Sequence, residues 1–209
     1  MEDVSCSGVI LAGGLSKRFG GREKGLIEVA GRRILDRIFD CFRTLFSEII
    51  LVTNDAVKYL EWDCLIVGDL LPVRSSLTGI HAGLFYAENP YIFVAACDTP
   101  FLKLDLATKI LAEIDAGLDA IVPWTEAGPE PLCAVYSQRC LQPIARQLQN
   151  ENYKIQDLFR KVRAKRIPES TLRTGDPDMI SFFNVNTPED LRVAESISRA
   201  TGGTAGEGS

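Results

Sequence analysis

The chain has 209 residues, 46% of them hydrophobic, enough to bury a sizeable core in one domain. A net charge of −5 argues against the broad basic face that nucleic-acid binding needs, while leaving room for a local basic pocket that takes a phosphorylated small molecule. No apolar run approaches the roughly 20 residues of a membrane helix, and the acidic start MEDVSCSGVI reads as no secretory signal.

Six cysteines, Cys6, Cys41, Cys64, Cys97, Cys133 and Cys140, form no C-x-x-C pair and are irregularly spaced. The expectation is reduced thiols in a cytoplasmic protein. With one histidine and scattered thiols, a zinc site is not expected.

Val9–Ala12 is an apolar run that predicts a buried strand. It breaks into Gly13-Gly14 and a basic segment carrying Lys17, Arg18, Gly20, Gly21, Arg22 and Lys24. Glycines let backbone N–H groups close around anionic oxygens and the cations supply countercharge, so this stretch describes a polyphosphate site. From Arg32 to Phe46, apolar residues recur every three or four positions and predict an amphipathic helix. Apolar strands follow at 48–53, ending at Asn54-Asp55, and at 64–67, ending at Gly68-Asp69. A loop over 70–76 leads into a helix over 77–87. The most apolar run, 91–96, ends at Cys97-Asp98-Thr99-Pro100, and 103–116 reads as a helix. Strands at 120–123 and 132–136 flank a turn at 125–128, a connection short enough to make one of them antiparallel.

A helix is predicted over 139–148, and Ile155, Leu158, Phe159 and Val162 suit a helix face within the basic stretch 154–166. The cations of that stretch fit either a solvated face or the reception of an acceptor phosphate. Thr187-Pro188-Glu189-Asp190 opens a last helix that runs to about Arg199. Residues 1–200 read as one domain and 201–209 as a flexible tail. Strands alternating with helices predict an α/β fold, a mostly parallel sheet with one antiparallel strand and helices on both faces.

In such a sheet, ligands bind beyond the carboxyl ends of the strands. Those ends carry Gly13-Gly14, Asn54, Asp69 and Asp98. Each Asn or Asp alone also suits a turn; together with the glycine-basic loop they point to a site. A carboxylate beside phosphates normally holds Mg²⁺, and Asp98, after the most buried strand, is the candidate. Lys24 is followed by Gly25-Leu26, so the loop is not a P-loop, and it contains no G-x-G-x-x-G. The single histidine, His81, reads as structural or exposed, with a ligand role near a phosphate left open.

Leu11-Ala12-Gly13-Gly14-Leu15-Ser16-Lys17-Arg18-Phe19-Gly20, then Lys24-Gly25-Leu26, resembles the L-A-G-G-x-S-x-R-x-G…K signature of sugar-nucleotide-type nucleotidyltransferases. With Gly68-Asp69, Leu77-Thr78-Gly79-Ile80, Cys97-Asp98-Thr99-Pro100-Phe101-Leu102 and Phe183-Asn184-Val185-Asn186-Thr187-Pro188-Glu189-Asp190-Leu191, the resemblance extends along nearly the whole chain to the molybdenum cofactor guanylyltransferases. It implies a three-layer Rossmann-like nucleotidyltransferase fold and transfer of GMP from MgGTP to the terminal phosphate of molybdopterin, with release of pyrophosphate. By the same resemblance, Leu11, Ala12 and Gly13 would meet GTP through the backbone, and Lys24 would meet its phosphates. Asn54 and Asp69 would belong to the nucleotide site, and Asp98 would bind both GTP and Mg²⁺. Arg18, Asn184 and Asn186 would stand on the acceptor side, and proteins that deliver the cofactor or mature molybdoenzymes would be partners.

Two departures stand out. Ser75-Ser76-Leu77-Thr78-Gly79 replaces the family's G-P-L-A-G, and Glu130-Pro131-Leu132 stands where relatives have His-Pro. A relative using CTP or another acceptor, and a non-catalytic nucleotide-binding domain, remain alternative readings at this level.

Overall fold

The computed structural model describes residues 5–13, 15–16 and 22–202. The chain opens with β1 (Cys6–Leu11), two short paired strands β2 (Leu15–Ser16) and β3 (Arg22–Glu23), and a hairpin of β4 (Glu28–Val29) and β5 (Arg32–Arg33). Next come α1 (Ile34–Leu45), β6 (Ile49–Val52), β7 (Leu65–Val67), α2 (Ser76–Tyr86), β8 (Tyr91–Ala96) and α3 (Leu104–Leu111). The second half contains β9 (Ala120–Thr125), β10 (Gly128–Pro129), β11 (Cys133–Ser137), α4 (Leu141–Gln149) and α5 (Ile155–Leu158). It closes with β12 (Ala164–Pro168), α6 (Glu169–Leu172) and α7 (Pro188–Gly202).

One sheet runs in the order β10-β9-β11-β8-β1-β6-β7, with β12 beside β9. β1 pairs in parallel with both β6 and β8, and β6 with β7. β11 is the expected antiparallel strand, lying between β8 and β9, and the two residues of β10 fold back on β9. The strand alternation sends side chains to both faces. Ile10, Phe93 and Val135 join a core under Ile34, Leu35, Phe42, Leu106 and Ala194 of α1, α3 and α7. Val9, Val94 and Tyr136 join the other, under Leu77, Ile80, Ile144 and Leu148 of α2 and α4. These helices on both faces make the three layers.

Two expected helices differ. The helix over 103–116 ends at Leu111, because the following residues close tight turns and Asp115 Oδ1 accepts the Gly117 N–H at 2.7 Å. The helical reading of 154–166 is corrected to the single turn α5 followed by β12, which pairs with β9 from Ala164 opposite Ala120. Tertiary pairing overrides the helical periodicity there, and Asp119 fixes the register by accepting the Arg163 backbone N–H at 2.9 Å. The last helix runs through Gly202, and the tail residues 203–209 lie outside the described residues. All six cysteines are free thiols. Among the described residues, no helix is long and apolar enough to cross a membrane.

Candidate active site

The parallel register brings the carboxyl ends of four strands to one edge. Leu11 lies opposite Val52 and Ala96, and Val52 opposite Val67. Ala12-Gly13, Thr53-Asn54, Gly68-Asp69 and Cys97-Asp98 therefore emerge side by side. The chain goes from β1 to β6 and β7 on one side, then returns by α2 to β8 on the other. That reversal between β1 and β8 is where open α/β sheets bind ligands.

A cavity of about 490 Å³ opens on the α2 side of this edge, within the range of small-molecule sites. Leu11, Ala12, Gly13, Asn54 and Asp69, all expected from the sequence, line it. Asn54 and Asp69 hold each other: Asn54 Nδ2 donates to Asp69 Oδ2 at 2.7 Å, and the Asp69 N–H donates to Asn54 Oδ1 at 3.0 Å. The Ala12 N–H bonds Val52 O at 2.9 Å and Leu11 O accepts the Cys97 N–H at 3.1 Å. Those two groups tie the strand ends together, so Leu11 and Ala12 offer a ligand mainly a wall and spare carbonyl lone pairs.

Lys24 and Asp98 meet beside the cavity, not among its lining residues. Glu23 and Lys24 lie where β3 runs into a single 3₁₀ turn, Lys24–Leu26, which Gly25 packs against Cys97 and Leu35. A Cβ at Gly25 would stand 3.2 Å from Cys97 Cβ, so glycine permits the close approach. Lys24 Nζ stands 2.8 Å from Asp98 Oδ2 and also donates to Asn186 Oδ1. The Val185 N–H donates to Asp98 O at 2.9 Å, clipping the segment before α7 to the end of β8. Asp190 Oδ2 accepts the N–H groups of Asn186 and Thr187 at 2.9 and 2.8 Å, while the Asp190 N–H donates to Thr187 Oγ1 at 3.1 Å. This reciprocal cap fixes the turn that presents Asn186. Asn186 thus reaches Lys24, whereas Asn184 is exposed and donates to Phe182 O at 3.0 Å. Arg18 lies outside the described residues.

Asp98 Oδ1 is buried and has no hydrogen-bond partner among the described residues. No three His, Cys, Asp or Glu side chains among those residues converge as a ready-made metal site. A single carboxylate with one uncommitted oxygen fits Mg²⁺, which retains waters and takes substrate phosphates as further ligands.

The cavity has further walls that sequence reasoning did not single out as site residues: Glu23, Thr53, Asp55, Arg74 and Gly79. Glu23 could have been noticed as the acid next to Lys24. Ser75 and Ser76, noted only as a departure, also line it. Ser75 caps α2, its Oγ accepting the Thr78 N–H at 3.1 Å. The other departure, Glu130, sits by the start of β11, next to the strand that delivers Asp98. There burial raises its carboxyl pKa. His81 lies on α2, does not line the cavity, and is pushed toward its neutral form by burial.

The cations of 154–166 are mostly committed elsewhere. Arg163 holds Asp119, Lys165 pairs with Glu113, Lys161 donates to Gln147 at 3.0 Å, and none of the stretch lines the cavity.

Residues 8–167 match the MobA-like NTP transferase domain. The chain belongs to this family. Membership makes it a nucleotidyltransferase. It is 43% identical over 194 residues to a molybdenum cofactor guanylyltransferase of Desulfosudis oleivorans, covering 93% of this chain and 96% of that one. It is 35% identical to a probable molybdenum cofactor guanylyltransferase of Natranaerobius thermophilus, covering 90% and 94%. The crystal structure of molybdopterin-guanine dinucleotide biosynthesis protein A from Archaeoglobus fulgidus superposes with a TM-score of 0.82 at 28% identity, covering 93% of this chain and 99% of that one.

Proposed function

We propose that this protein transfers GMP from MgGTP to the terminal phosphate of molybdopterin, releasing pyrophosphate and forming the guanine dinucleotide cofactor. The observation that carries the reading is the meeting of Lys24 and Asp98 at 2.8 Å beside a nucleotide-sized cavity at the sheet edge. The names of the relatives supply the base and the acceptor.

In this reading the nucleoside occupies the cavity, between the ends of β1 and β6 and the start of α2. Leu11, Ala12 and Gly13 form its inner wall, and Asn54 and Asp69 stay locked to each other along its rim. Lys24 turns from Asp98 to the triphosphate and offsets its charge. Asp98 would hold Mg²⁺ through its carboxylate, and Asn186 steadies the Lys24 ammonium. The ion would supply charge neutralisation on the phosphates. Arg18 and Asn184 remain assigned to the acceptor side.

The acceptor's phosphate monoester has a second pKa near 6, so it reaches the site largely as a dianion. It needs no general base, in keeping with a cavity whose walls carry no histidine. What the residues must do is cancel repulsion between two anions and align the attack in line with the departing pyrophosphate. Residues 1–200 act as one catalytic domain in the cytoplasm, and proteins delivering or receiving the cofactor are its partners.

Calorimetric titration of the protein with MgGTP, MgCTP and MgATP tests the nucleotide half of this reading. Preferential binding of MgGTP is expected; equal or tighter binding of MgCTP would assign another base.

A further inference from the structure

Glu23 and Lys24 are adjacent in sequence, yet their side chains go to different places. Lys24 reaches Asp98 and Asn186, while Glu23 lines the nucleotide cavity. Glu23 is only 7% exposed, a rare state for a carboxylate unless it is paired. Its Oε1 accepts from Lys58 Nζ at 2.8 Å, and the same ammonium stands 2.6 Å from Asp55 Oδ2. Directly after Lys58, the fully buried Tyr59 points its hydroxyl at Ala12 O, 3.5 Å away. Burial raises the pKa of that hydroxyl, with the nearby charges of Glu23 and Asp55 adding to the effect.

A carboxylate facing a cavity for a polyanion is electrostatically costly unless it has another task. Here its charge is taken up by Lys58. The short turn Ala56–Tyr59 thereby joins three walls of the site: the end of β1 through Tyr59, the Lys24 segment through Glu23, and the end of β6 through Asp55.

We propose that Glu23 and Lys58 form a clamp that positions Lys24, with Glu23 acting through its neighbour rather than on the nucleotide. Glu23 is the extended residue that ends β3 and Lys24 opens the 3₁₀ turn, so anchoring Glu23 on Lys58 fixes the backbone from which the Lys24 side chain sets out toward Asp98. This rests on Lys24 being the phosphate-contacting residue, and it adds the group that fixes its direction.

Amine labelling of the free protein, read residue by residue by mass spectrometry, tests the clamp without any turnover and so stands apart from the guanylyl-transfer reading. In wild type, Lys24 is shielded by Asp98 and Asn186 and labels slowly. In Glu23→Gln and in Lys58→Met, labelling of Lys24 is expected to rise severalfold, while Lys103 and Lys165, each in its own ion pair, label as before. Lys58→Arg, which keeps the cation, retains the protection. Unchanged Lys24 labelling in both variants would overturn the proposal. So would a rise shared equally by Lys103 and Lys165, because that would mean general loosening.

Discussion

Lys24 Nζ lies 2.8 Å from Asp98 Oδ2, so the cation proposed for the nucleotide's phosphates and the carboxylate proposed for Mg²⁺ neutralise each other in the free protein. The pair is largely sheltered, at 23% and 14% side-chain exposure. A lysine on the only assigned metal carboxylate makes the free protein a poor cation site. In the proposed reaction the nucleotide would draw Lys24 away and leave Asp98 fully available. Lys24→Met is therefore expected to tighten Mn²⁺ binding by the free protein severalfold, matching the roughly 1 kcal/mol of a partly exposed ion pair. Electron paramagnetic resonance titration reads this directly, and unchanged affinity would sever Lys24 from the metal site. The same variant is expected to lose turnover.

Asp98→Asn keeps the backbone bond from Val185 to Asp98 O and nearly the same side-chain shape. The expected outcome is a folded protein, with an unaltered circular dichroism spectrum, whose Mg²⁺-dependent turnover falls by roughly a hundredfold or more. Near-wild-type turnover would remove Asp98 from the metal role.

Gly83 lets α2 lie directly on β1. A Cβ there would stand 2.7 Å from Val9 Cγ1 and 3.1 Å from Val9 Cγ2, and a β-branched side chain in a strand has little freedom to yield. Gly83→Ala is expected to destabilise the protein by about 2 kcal/mol despite alanine's better helix propensity. Calorimetry would show this as a melting temperature lower by about 4–8 °C.

Asp119 gives a pH prediction. Hydrogen bonds from Arg163, followed by Arg139, hold its carboxyl well below its ordinary value of 3.8. A depressed folded pKa contributes stability that is fully present above the unfolded value and is lost as pH falls below it. Asp119→Asn is therefore expected to cost about 2 kcal/mol at neutral pH. In urea unfolding the two proteins converge as pH falls below about 4. A gap that persists undiminished below that range would assign the effect to packing.

Several parts of this protein were legible in its sequence because local chemistry and tertiary structure agree. The run into Gly13, the buried strand into Asp98 and the Thr187–Asp190 helix start all appear where their composition predicts. Asn54 and Asp69 could be assigned to one edge because parallel strands end together. The stretch 154–166 misled because its apolar spacing fits a helix, while its actual structure depends on pairing with β9 and on Asp119, far away in sequence. The burial of Glu23 was hidden for a related reason. Beside Lys24 it reads as one more charge in a polar loop, and only the arrival of Lys58 and Tyr59 from after β6 shows it buried. Asn186 was assigned to the acceptor side, but its contact with Lys24 depends on how α7 closes over the sheet edge.

The proposed reaction is transfer from GTP to molybdopterin through Lys24 and Asp98. Pyrophosphate release measured with molybdopterin and Mg²⁺, in parallel with GTP, CTP and ATP, tests it most directly. Release is expected with GTP, where it requires molybdopterin, is much slower with CTP and ATP, and disappears in Asp98→Ala. Release that favours CTP, proceeds without molybdopterin, or survives in Asp98→Ala would contradict it.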